Sequence, residues 1–190
     1  MNPEIIKKKR LEKGYTLAYM SKQLGFTASF LSQLERGLKQ PSLESLRKIS
    51  DFLELPMIFF FFDENAQPVS EPVAQDGACH VIRKNSRRKI VLPEIQTEYE
   101  MLTPSPAEVK TELNGSYCEI RPGCRMSERM ITHGRDESMF VLKGKMRAFI
   151  GDATYDMEDG DSIYVSKHVP HNAINTGDDK LCVITYMINS

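Results

Sequence analysis

The sequence has no pair of cysteines at the C-x-x-C spacing that zinc fingers and redox motifs use. Its four cysteines are scattered, and the two nearest neighbours, Cys118 and Cys124, are further apart than usual zinc-finger ligands. We therefore expect reduced thiols, in the core or on the surface, instead of a zinc-finger site.

Long apolar runs are also missing. The longest, PMIFFFF at 56–62, is too short to span a bilayer, and residues 1–15 contain no apolar signal core. The 190 residues, of which 41% are hydrophobic, suffice for one small and one medium domain. We expect a soluble, cytoplasmic protein that has no membrane partner.

Several common catalytic motifs are absent as well. The sequence has no G-x-x-x-x-G-K-[ST] phosphate loop and no G-x-S-x-G nucleophile elbow, and His80 does not belong to a recognisable catalytic motif. No internal repeat or low-complexity tract appears. The sequence therefore indicates no catalytic residue, and we predict that the protein is not an enzyme.

The net charge is only −1, but it is unevenly distributed along the chain. Residues 1–62 carry ten Lys and Arg against six Asp and Glu, whereas residues 63–190 carry fifteen against twenty. A basic first part beside an acidic second part indicates that the first part alone meets a polyanion.

The hydrophobic periodicity divides the chain at the same place. Apolar residues in 5–55 recur at intervals of three and four, which predicts helices, with Thr16 and Ser42 as N-caps and Gly25 and Gly37 as helix ends. We predict four short helices in 1–62.

A different pattern follows. Residues 63–78 are rich in Pro, Glu, Asp and Gln, which is typical of a linker. Residues 79–190 then show short alternating runs separated by turn signals such as Asn114-Gly115 and Gly151-Asp152. Many closely spaced strands predict a β-sandwich or barrel.

The stretch TLAYMSKQLGFTASFLSQLERG at 16–37 predicts two helices joined by a tight turn around Gly25, the second capped by Thr27. In a helix-turn-helix the second helix enters the major groove, so its outward residues are small or polar. The outward positions are Ala28, Ser29, Ser32 and Gln33. The inward positions are Phe30, Leu31 and Leu34. An ordinary surface helix also carries Ser and Gln, so this pattern alone does not distinguish a DNA-reading helix from an ordinary surface helix.

The residues around this helix favour the DNA-reading interpretation. The stretch SFLSQLERGLKQPSLESLRKIS at 29–50 resembles the xenobiotic-response-element family, the Cro and phage-repressor type of regulator. The family pattern S-x-x-E-x-G-x-x-x-P-S is present as Ser32, Glu35, Gly37, Pro41 and Ser42. The likeness covers about residues 3–62 and implies a DNA-binding domain at 1–62.

The resemblance implies roles for individual residues. Base edges would be read by Ala28, Ser29, Ser32 and Gln33. Phosphates would be held by Thr16, Thr27 and Lys39. Arg10 is expected to pair with Glu35 inside the domain instead of contacting DNA.

The run of phenylalanines at 59–62 is unusual for a small domain. Four consecutive phenylalanines on a helix spread over most of its circumference, so one face can fill a core while the other needs a partner. We expect this partner to be another subunit or the second domain.

Two stretches of the second part, 131–144 and 160–175, resemble the motifs of the cupin family, small double-stranded β-barrels. In the first motif His133, Glu137 and Gly144 match, and Ile131 stands where the family has its first histidine. In the second motif the matching residues are Gly160, His171 and Asn175. Ser166 and His168 replace the proline and glycine of that motif.

The family resemblance implies a metal site that has lost one ligand. His133, Glu137 and His171 remain as possible ligands for zinc, nickel, iron or manganese. Because the first histidine is missing, we expect a polar pocket without a metal rather than a metal site. Its lining would be Ile131, His133, Glu137 and His171, and it would bind a small effector.

The whole chain resembles bacterial regulators that join such a helix-turn-helix domain to a cupin domain, here at 79–190. This implies a one-component transcription regulator, which we expect to be a homodimeric repressor with a double-stranded DNA operator and an effector such as an amino acid or polyamine. Two alternatives stay open: a metal-dependent cupin enzyme fused to a DNA-binding head, and a constitutive DNA-binding protein whose barrel serves only for dimerisation.

Overall fold

A computed structural model describes residues 3–55, 60, 71–72, 79–92, 97–104, 109 and 111–188. The chain separates into two compact units, residues 1–66 and 67–190. The first is all-α and the second all-β, which confirms the predicted fold class. No helix among the described residues combines the length and hydrophobicity that crossing a membrane requires.

The helical unit consists of α1 (Glu4–Glu12), α2 (Leu17–Leu24), α3 (Ala28–Glu35) and α4 (Leu43–Leu53). The predicted caps are confirmed. Thr16, Thr27 and Ser42 each accept a hydrogen bond from the backbone N–H three residues later, which satisfies one orphan donor of each helix. Gly25 ends α2 with φ of 71°, in the left-handed region that glycine adopts without strain.

The apolar faces of the four helices meet in one core. Its buried side chains are Ile5, Ile6, Met20, Leu31, Leu34, Leu46, Ile49, Leu53, Leu55 and Phe60. Phe60 is the member of the phenylalanine run that the structure describes, and it is fully buried. The expectation that this run contacts a partner falls on residues outside the described part of the chain.

The β unit contains eleven strands among its described residues. They are β1 (Glu71–Pro72), β2 (His80–Val81), β3 (Lys89–Leu92), β4 (Thr97–Met101), β5 (Leu113–Ile120), β6 (Asp136–Lys143), β7 (Met146–Ile150), β8 (Ala153–Met157), β9 (Ser162–Val165), β10 (His171–Asn175) and β11 (Leu181–Ile188). All of their pairings are antiparallel.

Two larger sheets enclose a common core. One has the order β3-β4-β5-β11-β6-β9 and the other the order β10-β7-β8. Side chains from both, for example Val141 and Val183 from the first and Met146 and Ala173 from the second, belong to one buried cluster. Within the described residues the sheets are not joined into a closed ring of hydrogen bonds, but they face each other around one interior, as in a cupin barrel.

The turn predicted at Asn114-Gly115 is wrong. Both residues lie inside the continuous strand β5. A Cβ at Gly115 would come within 2.6 Å of Cε1 of Tyr186, so the glycine leaves room for the neighbouring ring instead of forming a turn. The side chain of Asn114 is buried.

The loop between β9 and β10 contains a strained residue. His168, which stands where the cupin motif has glycine, has φ of 66°, in the left-handed region. Its N–H donates to the carbonyl of His133 at 2.8 Å, and the N–H of Lys167 donates to Oδ1 of Asp136 at 2.9 Å. The loop is therefore tied to the first residue of β6 and to the segment before it. It carries a backbone conformation that costs a non-glycine residue about 1 kcal/mol or more.

We expect His168→Gly to raise the free energy of unfolding of the β unit by up to about 1 kcal/mol, because glycine relieves the left-handed strain but adds unfolded-state entropy. Urea unfolding of the full chain measures this. Lys167→Gly is the matched control: it lies outside the positive-φ region and should lose stability. Equal effects of the two substitutions would contradict the strain argument.

Candidate nucleic-acid interface and barrel pocket

The N-caps of α2 and α3 present hydroxyl groups on the surface of the helical unit. The N–H of Tyr19 donates to Oγ1 of Thr16 at 3.0 Å, and the N–H of Phe30 donates to Oγ1 of Thr27 at 3.1 Å. Both threonines are exposed. Since each hydroxyl accepts these bonds, it retains its own proton to donate, which suits a phosphate oxygen.

One face of α3 is solvent-facing and polar. Ala28 and Ser29 are exposed, and Ser32 and Gln33 are half-buried one turn further along. Nε2 of Gln33 lies 3.5 Å from Oγ of Ser29, within the same face. This face has the small and polar character that contact with base edges requires.

The opposite side of α3 packs into the helical core. Leu31 and Leu34 are fully buried, as predicted. Phe30 was expected to point inward, but it is only half-buried, because its ring packs beside that of Phe26 with centroids 5.2 Å apart, away from the centre of the core.

Two lysines lie over this aromatic pair. Nζ of Lys39 is 5.5 Å from the centroid of Phe30, and Nζ of Lys48 is 6.0 Å from the centroid of Phe26. These contacts hold both cations near the start of α3. The sequence named Lys39 as a phosphate contact but missed Lys48, because its place on α4 gives no sign of nearness to Phe26.

The second candidate site lies inside the β unit. His133 precedes β6, Glu137 is the second residue of β6, and His171 begins β10. Their potential ligand atoms lie within 4.8 Å of one another, and all three residues are buried. We call these residues the His-Glu-His cluster. The structure therefore brings together the three predicted polar residues of the pocket.

The hydrogen bonds of the cluster fix the orientation of both rings. Nδ1 of His133 lies 3.1 Å from the carbonyl oxygen of Arg135, and Nδ1 of His171 lies 2.8 Å from that of Val169. A carbonyl oxygen only accepts, so each Nδ1 carries the donating proton. Each Nε2 faces Oε2 of Glu137, at 3.1 Å from His133 and 3.0 Å from His171.

Each of these two contacts needs a proton or a metal ion between Nε2 and the carboxyl oxygen. A neutral imidazole protonated on Nδ1 offers a lone pair at Nε2, and a lone pair facing a carboxylate oxygen is repelled. A proton on Nε2 or a divalent cation removes the repulsion. The donor set of two imidazoles and one carboxylate, with both Nδ1–H groups bonded to carbonyls, fits a divalent metal.

The electrostatic environment follows from these contacts. Burial raises the pKa of Glu137, but hydrogen bonds with His133 and His171 outweigh it and hold this pKa below its usual value. Burial lowers the pKa of His171, and its hydrogen bond with Glu137 reverses this, so the net pKa is raised. The protonated form of His171 is therefore favoured when Glu137 is ionised.

Ile131 occupies the place of the missing histidine. Its N–H donates to the carbonyl of His171 at 2.7 Å, and the N–H of His171 donates to the carbonyl of Ile131 at 2.9 Å. Residues directly opposite each other on antiparallel strands place their side chains on the same face. The side chain of Ile131 therefore lies on the face that carries the ring of His171.

Sequence reasoning missed further polar residues of this interior. Arg135 is 5% exposed, and burial lowers its pKa to about 10. Asn114 on β5 is 8% exposed, and the hydroxyls of Ser116 and Thr185 form a buried pair at 2.7 Å. The alternation of β6 could have revealed Arg135, because it has the parity of His133 and Glu137.

Two asparagines of β10 are structural. Nδ2 of Asn175, the matching motif residue, donates to the carbonyls of Ile120 and Asp179 at 2.8 Å. Nδ2 of Asn172 donates to those of Ser127 and Arg129, at 2.8 and 2.9 Å. Both side chains tie loops to the strand that begins with His171.

Comparison with protein families matches each unit separately. The helix-turn-helix family matches residues 6–60, and the cupin domain family matches residues 116–187. The HTH-type transcriptional regulators SinR of Bacillus subtilis (strain 168) and Bacillus licheniformis are 41% identical over 51 residues, which is 26% of this chain. The chain spans 46% of the length of these relatives.

Solved structures resemble the chain in fold. An HTH_3 family transcriptional regulator from Vibrio cholerae has a TM-score of 0.63 at 21% identity, covering 100% of this chain and 95% of the other. A predicted oxalate decarboxylase from Thermotoga maritima has a TM-score of 0.50 at 18% identity, covering 58% of this chain and 99% of the other.

The likeness inferred from the residue motifs is thus confirmed in both units, and the fold of the Vibrio cholerae structure spans both. Residues 6–60 therefore belong to the helix-turn-helix family and residues 116–187 to the cupin domain family.

Proposed function

We propose that this protein is a one-component repressor that reads an operator with its helical unit and senses a small molecule in its β unit. The observation that carries the DNA-binding part is the exposed face of α3. Ser29 and Gln33 lie on this face, next to the capping hydroxyl of Thr27 and the ammonium group of Lys39. Base-reading and phosphate-binding groups are adjacent there.

Gln33 is the residue on this face with the reach and the paired donor and acceptor to contact adenine. We expect Gln33→Ala to weaken binding to the true operator by about 1–3 kcal/mol and binding to random DNA little, because a base contact carries sequence information. Fluorescence anisotropy with both duplexes at one salt concentration measures this difference.

The matched control is Gln23→Ala, which removes an exposed glutamine from α2. It should leave the ratio of operator to random binding unchanged. Equal losses on both duplexes for Gln33→Ala would reassign Gln33 to a phosphate contact and remove it from the base-reading residues.

The sensor part of the proposal rests on the His-Glu-His cluster. Buried polar groups that converge in one interior are costly unless a ligand or a protein group satisfies them. If a divalent metal binds, His133, Glu137 and His171 would hold it, and it would supply Lewis acidity and an anchoring point for a polar group. Whether or not a metal is bound, Ile131 would border the effector.

An effector in this pocket would act on DNA binding through the spacing of two DNA-binding units. His171→Ala should then remove the response of DNA binding to effector and leave operator affinity without effector intact. A barrel that serves only for dimerisation, the constitutive alternative, predicts no response of the parent protein to any pocket ligand.

The enzyme alternative rests on the same three residues, since two histidines and one carboxylate suit metal catalysis as well as binding. Turnover and DNA-release measurements distinguish the enzyme from the regulator. Steady turnover of a cupin substrate by the chain loaded with iron, manganese, nickel or zinc would support the enzyme, whereas ligand-dependent release of DNA without turnover would support the regulator.

We also propose that the protein is a homodimer, and that the outer face of the six-stranded sheet contributes to the interface. This face carries an apolar group of exposed side chains: Phe140, Leu142, Tyr164, Tyr186 and Ile188. Helix-turn-helix proteins usually read two half-sites related by a two-fold axis, so a second copy of the chain is the occupant that this function requires.

Tyr164 is 63% exposed on β9 of this face. We expect Tyr164→Lys to weaken dimerisation at least about tenfold, because it places a charge in an apolar interface. Sedimentation velocity over a concentration series gives the dissociation constant.

Tyr155→Lys is the matched control, because Tyr155 is 50% exposed on β8 of the other sheet. It should leave the association unchanged. A parent protein that is monomeric at micromolar concentration would overturn the dimer, and equal effects of the two variants would move the interface elsewhere.

A further inference from the structure

The helical unit carries two phenylalanine rings that lie outside its buried core. Phe26, in the turn before α3, and Phe30, on α3, are both half-buried. Their ring centroids are 5.2 Å apart and their planes are inclined by 58°. Aromatic rings attract each other at this distance and tilt, so the two rings support each other beside the start of α3. We call them the Phe26–Phe30 pair.

The Phe26–Phe30 pair borders the polar face of α3. Successive residues of an α-helix are about 100° apart around its axis, so Phe30 lies about 60° from Gln33, which belongs to that face. Thr27, whose exposed hydroxyl suits a phosphate oxygen, directly follows Phe26. The two rings are therefore close both to the base-reading residues and to the place where a phosphate would meet α3.

One exposed lysine lies over each ring. Nζ of Lys39 is 5.5 Å from the centroid of Phe30, and Nζ of Lys48 is 6.0 Å from the centroid of Phe26. Lys39 follows α3 along the chain, whereas Lys48 is on α4. A lysine side chain has many rotamers, and attraction to a ring favours those that keep the ammonium group beside it. The pair therefore holds two cations in place before DNA binds.

Glu44 is an acidic neighbour of one of these cations. Nζ of Lys48 lies 3.5 Å from Oε1 of Glu44, and the two side chains are 53% and 67% exposed. An exposed ion pair between residues four apart on a helix contributes little free energy. A phosphate can therefore replace the carboxylate as the partner of Lys48 at small cost.

We propose that Lys48 binds a DNA phosphate together with Lys39, and that the Phe26–Phe30 pair positions both ammonium groups for these contacts. This inference rests on the proposed DNA reading by α3. It extends the phosphate contacts from α3 to α4, so that two helices fix the orientation of the unit on the duplex. Because phosphate contacts carry no sequence information, they should matter equally for operator and random DNA.

The first test counts phosphate contacts from the salt dependence of binding. Each neutralised phosphate contributes about 0.9 to the slope of log K against log salt concentration. Fluorescence anisotropy of the full chain with a random-sequence duplex should show for Lys48→Met a slope smaller by about 0.9 per bound chain, and binding about eightfold weaker per chain at about 0.1 M salt. Lys9→Met is the matched control, because Lys9 also forms an exposed pair with a glutamate of its own helix, and it should keep the parent slope. An unchanged slope for Lys48→Met would overturn the proposal.

The second test separates positioning from contact. Phe26→Leu keeps an apolar side chain but removes the ring, so it should weaken binding about two- to fivefold, the worth of an exposed cation–π contact. The salt slope should stay at the parent value, because Lys48 still meets the phosphate. In the Lys48→Met background the same substitution should have little further effect. Equal losses in both backgrounds would show that Phe26 acts only through the fold and would remove its positioning role.

Phe52→Leu is the control for the loss of a ring. Phe52 is a half-buried phenylalanine of α4 whose ring packs beside that of Tyr15, with centroids 5.2 Å apart. Its effect on DNA binding, if any, should be the same with and without Lys48. A dependence on Lys48 as large as that of Phe26→Leu would contradict the specific role of the Phe26–Phe30 pair.

Glu44→Gln tests the Lys48 contact with the opposite sign and carries the test if Phe26→Leu does not fold. Removing the competing carboxylate should tighten binding to the random-sequence duplex about twofold. Unchanged or weaker binding would mean that no phosphate lies near Lys48.

The random-sequence duplex also separates this inference from the proposed operator reading. Loss of slope in Lys48→Met without any sequence preference of the parent would retain the phosphate contacts and remove base reading. A sequence preference with an unchanged slope in Lys48→Met would remove only this inference. A parent chain that binds no DNA would overturn both.

Discussion

Replacing Arg10 with methionine is expected to unfold the helical unit or leave it barely stable, with a loss of about 3–5 kcal/mol. Nε and Nη2 of Arg10 donate to Oε1 and Oε2 of Glu35 at 2.6 and 2.9 Å, and Nη1 donates to the carbonyl of Tyr15 at 2.8 Å. Arg10 and Glu35 are each 7% exposed. Arg10→Met therefore leaves a buried carboxylate without its cation, which costs far more than the loss of a surface ion pair.

Differential scanning calorimetry of the full chain measures this effect as a fall or disappearance of the helical unit's transition, while the transition of the β unit stays in place. The double variant Arg10→Met/Glu35→Leu removes both charges and should regain most of the lost stability. Lys9→Met is the matched control, because Lys9 forms an exposed pair with Glu12. A loss below about 1 kcal/mol for Arg10→Met would mean that water or another group compensates Glu35.

Restoring a histidine at position 131 is expected to raise the affinity for zinc or nickel by about 10- to 100-fold. Ile131 pairs directly with His171 through two backbone hydrogen bonds, so a histidine there would share a face with the ring of His171. The fourth donor completes a ligand set that already contains His133, Glu137 and His171. Competition with a chromogenic chelator measures the change in affinity.

Ile131→Asn is the control for this substitution, since it changes polarity at the same place without adding an imidazole. It should change metal affinity much less than Ile131→His. Equal affinity of the parent and the histidine variant would show that the side chain at 131 does not reach the cluster. One tightly held metal per chain in elemental analysis of the unmodified protein would overturn the expectation of a metal-free pocket.

The sequence predicts the helical unit well because its signals are local. Thr16, Thr27 and Ser42 bond to backbone groups three residues away, and the apolar spacing of α3 depends on one turn of the same helix. The family pattern places Glu35 correctly, and its pairing with Arg10 follows because a buried carboxylate needs a cation.

Prediction fails where a residue's role depends on a distant strand. Asn114-Gly115 has the composition of a turn, but Tyr186 lies across the sheet from Gly115 and explains the glycine. Arg135 sits in the sequence among ordinary polar residues. Its alternation with His133 and Glu137 gives its parity along the strand, but its interior position also depends on which face of the sheet is covered, and the residues next to it do not show that.

The His-Glu-His cluster is only partly predictable from the sequence. The spacing of His133 and Glu137 and the later motif with His171 predict that the three side chains meet, and they do. The orientation of both rings is not predictable, because it is set by the carbonyls of Arg135 and Val169. The positions of backbone carbonyls cannot be inferred from residue types, although these carbonyls decide which ring nitrogen faces the carboxylate.

Selection of DNA from a random duplex pool by the full chain tests whether α3 reads a DNA sequence. At about 0.15 M salt, where non-specific phosphate binding is weak, we expect enrichment of a two-fold symmetric sequence. Its half-sites should be separated by about one helical turn or a multiple of it. In the pool selected by Gln33→Ala, one position of each half-site should lose its preference. A pool without any enriched sequence would contradict the assignment of α3 as a reader of DNA.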